Sequence, residues 1–111
     1  MTTQTKTHEI LLPGNVDPSA LRLRERTLSP PGPGEVCVEV EAAGVSYAEV
    51  QMRFGRYPGQ PAFPFVPGYD IVGRVVDVGA GVPSETIGKR VAAMTGFGGW
   101  ATHLVLPAVD T

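Results

Sequence analysis

Hydrophobic and polar residues alternate along several short segments of this chain. The clearest alternation covers residues 35–44, EVCVEVEAAG, in which one face carries Val36, Val38, Val40 and Ala42. A period of two is typical of a β-strand with one buried face. We expect the opposite face, where Cys37 stands among three glutamates, to be solvated and its thiol to be unreactive.

Five further segments have the character of strands: 7–14, 21–27, 69–79, 89–94 and 99–107. Segment 21–27 alternates leucine or glutamate with arginine and predicts a half-buried strand. Segment 69–79 has apolar residues on both faces, which predicts a strand buried on both sides. Residues 29–35, SPPGPGE, predict a loop because proline has no amide donor.

The pattern changes to a helical period in residues 46–55, SYAEVQMRFG. We expect one short helix over about residues 47–54, with Ser46 and Glu49 forming a capping box and Gly55 ending it. At this period Tyr47, Val50, Gln51 and Phe54 share one face of the helix. After it, four prolines within residues 56–68 predict an extended loop that forms one wall of a cleft and carries Tyr57, Phe63 and Phe65.

Composition supports a single mainly β domain over residues 1–111. Hydrophobic residues make up 42% of the chain and charged residues 18%, and 14 glycines and 11 prolines separate the strands. With six strands and one short helix, we therefore expect an antiparallel-leaning barrel. The net charge of −2 without a basic cluster argues against a nucleic-acid partner. We expect no membrane span and a cytoplasmic location, and a single cysteine excludes an internal disulfide.

The run GAGVPS at residues 79–84 has two of the three glycines of a dinucleotide-binding loop. Such a loop must lead from a strand into a helix whose N-terminus faces the pyrophosphate. Here the glycines lead to ETIGKRV, which predicts another turn and strand. We therefore expect a tight turn in the barrel and no Rossmann domain.

Four segments together resemble a known family: PGEVCVEVEAAGVSYAEVQMRFGRYP, PFVPGYDIVGRVVDVGAGV, GKRVAAM and GGWATHLVLP. In this order they are similar to the N-terminal GroES-like domain of the medium-chain dehydrogenase/reductase superfamily, and the resemblance implies a mainly β, partly open β-barrel. The resemblance covers roughly residues 8–111. In that superfamily a cofactor-binding domain follows, so the resemblance implies that the C-terminal cofactor domain is absent here, in a fragment or a naturally shortened protein.

The zinc-dependent members of this family carry a cysteine after AAG, a His-Glu pair after the later glycine and a four-cysteine lobe. The matching positions here hold Ser46 and Tyr69-Asp70, and the lobe is missing. A serine hydroxyl and a phenol are too weakly acidic to replace thiolate and imidazole on zinc. We expect no metal, with His8 and His103 as solvated or hydrogen-bonded side chains.

The resemblance then implies the zinc-free branch of quinone oxidoreductases, zeta-crystallins and enoyl reductases. Its members use NADPH to deliver hydride to a quinone or enone-type carbonyl. By matching positions, the expected cofactor contacts are Ser46, Gln51 and Tyr57, where the first two replace the family's asparagine and tyrosine. The expected substrate contacts are Tyr47, Tyr57 and Tyr69, and no catalytic residue is identified.

Alternatives remain open for several of these residues. Ser46 serves as a helix cap, a cofactor contact or both, and Tyr57 either packs against Phe63 or Phe65 or donates to substrate. Arg53 and Arg56 are solvated charges or contact the cofactor phosphates. The whole chain is either a substrate-side catalytic domain or a non-catalytic binding module, and either one permits a homodimer or pairing with a separate cofactor-binding domain.

Overall fold

The computed structural model describes residues 5–111. Their strands are β1 (Thr5–Leu11), β2 (Arg22–Leu28), β3 (Glu35–Ala43), β4 (Asp70–Val78), β5 (Arg90–Met94) and β6 (His103–Pro107). The single α-helix, α1, covers Tyr47–Arg53, and three short 3-10 turns lie at Pro18–Ala20, Ser84–Thr86 and Ala108–Asp110. Within residues 5–111, no helix is long and apolar enough to span a bilayer.

The strands form two antiparallel sheets. β1 and β2 make a two-stranded ribbon, and the other four strands are ordered β5-β4-β3-β6. A bridge between Glu9 and Ala101 joins the ribbon to the segment before β6. The sheets do not close on themselves, and residues 5–111 contain no doubly wound parallel sheet. The prediction of a mainly β, partly open GroES-like fold with one short helix is therefore confirmed.

The main hydrophobic cluster, called the sheet core here, lies on one face of the four-stranded sheet. β3 is a central strand, and Val36 and Val38 are 0% exposed. The other fully buried members come from the three neighbouring strands: Ile71, Val75, Ala93 and Leu106. The predicted period-two face of β3 is confirmed at its first half.

The other face of β3 departs from the sequence expectation. Cys37 is buried, with 2% exposure, because it lies in a central strand between Asp77 of β4 and Val105 of β6. Burial and then the Asp77 charge raise the pKa of its thiol to about 11. A β-bulge between Val40 and Ala42 also reverses the alternation, so Ala43 packs on the core and Ala42 is exposed.

Two other burial predictions are wrong. β4 buries only alternate residues, and Val72 and Val76 on its outer face are each 40% exposed. β2 is exposed along its length except at Leu28, and Leu23 is 71% exposed. The reason is the same in both cases, since no element among residues 5–111 covers these faces.

The start and end of α1 agree with the sequence. The Ser46 hydroxyl accepts from the Ala48 amide at 3.3 Å, while the Glu49 carboxylate accepts from the Ser46 amide at 3.2 Å. Gly55 follows with a φ of 73°, which suits the residue after a helix. Tyr47, Val50 and Phe54, which the helical period places on one face, are exposed, whereas Glu49 and Met52 are buried.

The GAGVPS run forms a turn, as predicted. The Val82 amide donates to the Gly79 carbonyl at 3.3 Å, and Gly81 has a φ of 83°. A 3-10 turn at Ser84–Thr86 and then β5 follow, so no α-helix begins at these glycines.

Candidate functional site

The loop after β3 and the first residue of β4 meet at one end of the four-stranded sheet. The Gly44 amide donates to the Asp70 carbonyl at 3.3 Å, and the Trp100 indole donates to the Gly44 carbonyl at 2.9 Å. Since Ser46 lies two residues beyond Gly44 and Tyr69 immediately precedes Asp70, these bonds position two of the predicted site residues. They belong to the same end of the sheet.

Tyr57 and Tyr69 lie in an aromatic cluster beside α1. Their ring centroids are 6.1 Å apart in an edge-to-face arrangement, and Tyr57 meets Phe97 in the same way at 5.8 Å. Phe65 contacts Phe97 at 5.8 Å and stacks on Phe63 at 5.7 Å. The Tyr57 ring thus pairs with Tyr69 and Phe97, whereas the packing alternative named Phe63 or Phe65, and donation to substrate stays a prediction.

This aromatic cluster surrounds a second hydrophobic core, called the helix core here. Its fully buried members are Leu12, Met52 and Phe65. The Leu12 amide donates to the Phe65 carbonyl at 2.9 Å, which anchors the proline-rich loop to the segment after β1. The loop is thus anchored, with Tyr57 partly exposed on it, and its role as a wall of a cleft stays a prediction.

The Tyr57 phenol is protonated at neutral pH. Desolvation, followed by its neighbour Tyr69 and the Glu49 charge, raises the pKa of Tyr57 above its ordinary value. A protonated phenol is a hydrogen-bond donor that can stabilise charge developing on a carbonyl oxygen. The side chain therefore has the chemistry expected of a substrate contact.

The other predicted site residues lie on α1 in different environments. The Ser46 hydroxyl is occupied by the cap and also donates to the Glu49 carboxylate at 3.1 Å. Gln51 is half-buried, and its backbone carbonyl accepts from the Arg56 amide at 2.9 Å. Tyr47 is 73% exposed at the start of the helix and is not among the residues packed in the helix core.

Two arginines lie at the end of α1. The Arg53 guanidinium donates to the Val16 carbonyl at 3.0 Å and lies 4.5 Å from the Phe54 ring centroid. The Arg56 guanidinium lies 5.3 Å from the same ring. Both charges are therefore accounted for by local contacts, and Arg56 remains on the exposed surface.

A cavity along α1 was not anticipated from the sequence. Its volume is about 290 Å³, and its lining is almost wholly apolar: Leu12, Pro18, Leu21, Val45, Glu49, Val50, Arg53, Pro67 and Trp100. These residues come from four separate parts of the chain, so no local pattern marks them. Val45, directly after the AAG segment, is one of its lining residues and is 80% exposed.

The described residues do not assemble a metal site. Among residues 5–111, no group of three histidine, cysteine or acidic side chains has the geometry to hold an ion. His8 pairs with Glu25 at 3.1 Å, and His103 pairs with Glu39 at 3.4 Å. Each histidine therefore has a local partner on the sheet surface.

Comparison with known proteins identifies related chains. Residues 32–111 match the profile of the alcohol dehydrogenase GroES-like domain. The chain is 35% identical over 98 residues to the synaptic vesicle membrane protein VAT-1 homolog of Rattus norvegicus, which covers 88% of this chain and 24% of the relative. It is 42% identical over 77 residues to a quinone oxidoreductase-like protein 2 homolog of Nematostella vectensis. That match covers 68% of this chain and 21% of the relative.

Solved structures show the same arrangement. A short chain alcohol dehydrogenase from E. coli CFT073, solved in complex with NADH, superposes with a TM-score of 0.81 at 26% identity. The superposition covers 96% of this chain and 37% of the other. The chain therefore spans about a quarter of the length of the curated relatives and about a third of the solved one.

Proposed function

Since the chain belongs to the alcohol dehydrogenase GroES-like domain family, we propose that it provides the substrate-side domain of a zinc-free, NAD(P)H-dependent oxidoreductase. The acceptor in this proposal is a quinone or an enone-type conjugated carbonyl, and the setting is the cytoplasm. The similarity to a quinone oxidoreductase-like protein and to an enzyme solved with NADH supports this choice.

The observation that carries the zinc-free assignment is the chemistry of Ser46 and Tyr69. These residues stand where the resemblance puts the cysteine and histidine ligands of the zinc-dependent branch. The Ser46 hydroxyl is already bonded to Glu49 and Ala48, and the Tyr69 ring packs against Tyr57. A neutral hydroxyl and a phenol do not replace thiolate and imidazole at neutral pH, so this donor set does not fit zinc.

In the proposed reaction this chain holds and polarises the acceptor. Bound NADPH supplies the hydride. Tyr57 donates a hydrogen bond to the acceptor oxygen, where negative charge develops, and Tyr69 and Phe97 hold its ring at a fixed angle. Tyr47 and Tyr69 are the further substrate contacts, while Ser46 and Gln51 face the cofactor.

The direct test joins this chain to the cofactor-binding domain of the quinone oxidoreductase-like relative and follows the loss of NADPH absorbance. We expect turnover with quinones or enones that added Zn²⁺ does not increase and a chelator does not decrease. Alcohol oxidation that requires Zn²⁺ would show that the zinc-free assignment is wrong. Purified unfused chain is the control for background oxidation.

Within that fusion, Tyr57→Phe tests the phenol. The variant keeps the ring that packs against Tyr69 and Phe97 and removes only the donor, so we expect kcat/KM to fall by about tenfold to a hundredfold. Tyr47→Phe changes an exposed phenol and should have a smaller effect. An unchanged kcat/KM in Tyr57→Phe, with normal thermal unfolding, contradicts the role given to Tyr57.

A non-catalytic module is the second candidate. One finding favours it: the rat relative is named as a synaptic vesicle membrane protein homolog. Under this alternative the apolar cavity along α1 binds a partner or small molecule without turnover. A fusion that binds NADPH tightly yet reduces none of a broad panel of quinones and enones would favour it.

A further inference from the structure

One edge of the four-stranded sheet has no neighbouring strand among residues 5–111. β5 is the last strand in the order β5-β4-β3-β6 and pairs only with β4. In an antiparallel pair, alternate residues direct their amide and carbonyl groups away from the partner. Some residues of β5 therefore direct their backbone groups away from β4.

The register of β4 and β5 identifies these residues. The Thr95 amide donates to the Tyr69 carbonyl and the Val75 amide to the Lys89 carbonyl, so odd-numbered residues exchange hydrogen bonds across β4 and β5. The even-numbered residues therefore direct their backbone groups outward: Arg90, Ala92 and Met94. Such a row of unpaired donors and acceptors is a template for another strand.

We propose that β5 is a self-pairing edge, through which two copies of this chain associate in an antiparallel manner about a two-fold axis at Ala92. In this register Ala92 lies opposite Ala92 of the second copy, and Arg90 lies opposite its Met94. All three outward-facing residues then become hydrogen-bonded pairs. The two four-stranded sheets form one continuous sheet.

The side chains on the outer face are compatible with this close approach. Ala92 at the axis is small, and Met94 is 69% exposed in the single chain. Antiparallel pairing therefore brings two short methyl groups together at the centre and covers an exposed methionine at each end. This removes apolar surface from water at no steric cost.

Charge complementarity selects the second copy as the occupant. One end of the β5 edge carries Arg90, and the other end borders an open groove of about 790 Å³ that includes Asp70, Met94 and Asp110. Two-fold antiparallel pairing places Arg90 of each copy two strands from Asp70 of the other, on the same outer face of the sheet. Opposite charges thus meet twice.

The reach of Arg90 is sufficient for this contact. In the single chain its guanidinium already crosses β4 to bind Glu41 of β3 at 2.9 Å and 3.2 Å. Asp70 of the second copy lies the same two strands away, because it pairs with Met94 across β4 and β5. The arginine side chain can therefore exchange one exposed carboxylate for another.

Sedimentation velocity over a range of concentrations tests the proposal on the 111-residue chain. A five-residue edge is short, so we expect a weak dimer that appears between micromolar and about 1 mM concentration. Ala92→Pro removes an outward amide without removing a bond to β4, because proline is tolerated where the amide faces solvent. It should weaken association by about tenfold or more, whereas the matched Ala92→Ser retains the amide and should associate like the wild type.

Charge reversal tests the register separately. Asp70→Lys and Arg90→Glu should each weaken association, and the double variant should recover most of it because the ends are again complementary. A double variant that is no better than either single variant overturns the proposed register. A wild-type chain that remains monomeric at about 1 mM overturns the proposal itself.

Amide hydrogen exchange provides a readout that does not depend on variants folding. Protection of the Arg90, Ala92 and Met94 amides should rise with protein concentration. The Val91 and Ala93 amides, which face β4, should be protected at every concentration. Self-association without this alternating pattern shows that another surface mediates it and overturns pairing through β5. None of these measurements involves a cofactor, so their outcome is independent of the proposed reaction.

Discussion

At the scale of single residues, Glu9 links the two strands of the ribbon. Its carboxylate is 2% exposed and accepts from Arg24 at 2.6 Å and from Arg26 at 2.8 Å. Burial alone raises the pKa of Glu9, but hydrogen bonds and charge from the two arginines outweigh it and leave the pKa below its ordinary value. The carboxylate is therefore ionised wherever the chain is folded near neutral pH.

We expect Glu9→Gln to lower the free energy of unfolding at pH 7 by about 1–3 kcal/mol, because the charged hydrogen bonds of the buried carboxylate are lost. The loss is limited because the half-exposed arginines recover part of their solvation. A lowered folded-state pKa stabilises the fold fully above the unfolded pKa of about 4.3, and this contribution is lost as pH falls through the folded value. The difference between wild type and variant should therefore shrink in acid. Urea denaturation at neutral and acid pH measures it.

Glu25→Gln is the matched control, since Glu25 lies on the same ribbon and pairs with Lys6 and His8 but is about half exposed. Exposed pairs contribute about 0–1 kcal/mol. Equal effects of the two substitutions, or a Glu9→Gln effect independent of pH, would contradict the role of Glu9.

The Ser46 cap could be predicted from the sequence because its partners lie two and three residues away, whereas Arg24 lies 15 residues from Glu9, beyond any local pattern.

At the scale of elements, the turn after β4 packs against the loop before β3. The Gly79 amide donates to the Glu35 carbonyl at 2.8 Å, and the Gly34 amide donates to the Ala80 carbonyl at 2.8 Å. A side chain on Gly79 would collide with the carbonyl oxygen of Gly32. The glycine that resembles part of a phosphate-binding loop therefore permits close contact between two backbone segments.

Gly79→Ala should lower the free energy of unfolding by about 1–3 kcal/mol, because the loop before β3 must move away and strain its hydrogen bonds. Gly14→Ala is the matched control: no atom lies within 4 Å of the added methyl group, and the reduced freedom of the unfolded chain makes the change neutral or slightly stabilising. Thermal and denaturant unfolding compare the two variants. Similar effects at both positions would show that the backbone contact is unimportant.

Element type and position could be predicted from the sequence better than the buried face. Period-two runs and prolines located the six strands to within a few residues, and the capping box located α1. Which face is buried depends on the layer that lies opposite, and no local pattern encodes that layer. This is why the apolar Tyr47 and Leu23 are exposed while the charged Glu9 and Glu49 are buried.

At the scale of the whole molecule, the sheet core and the helix core are built differently. The sheet core joins four hydrogen-bonded strands, whereas the helix core joins α1, the segment after β1 and the proline-rich loop mainly through side chains. The order of four motifs predicted the fold of the whole chain, because it matches a family pattern. The aromatic contacts between Tyr57, Tyr69 and Phe97 could not be predicted, since they unite three separate segments.

We expect the helix core to open at lower free energy than the sheet core, because α1 has only seven residues and its outer face is exposed. Val38→Ala should lower the exchange protection of β3 and β4 amides by about 2 kcal/mol. It should leave the exchange protection of the α1 amides unchanged, because the partial opening that exposes those amides keeps the Val38 contacts intact.

Met52→Ala is the matched variant in the other core, where Met52 is 0% exposed. It should reduce protection in α1 and in the sheet strands alike, because Met52 contacts are lost in both the partial and the complete opening. Native-state hydrogen exchange of the two variants, residue by residue, makes the comparison. If Val38→Ala reduces α1 protection as much as it reduces β3 protection, the two cores unfold as one unit and the expected order of opening is wrong.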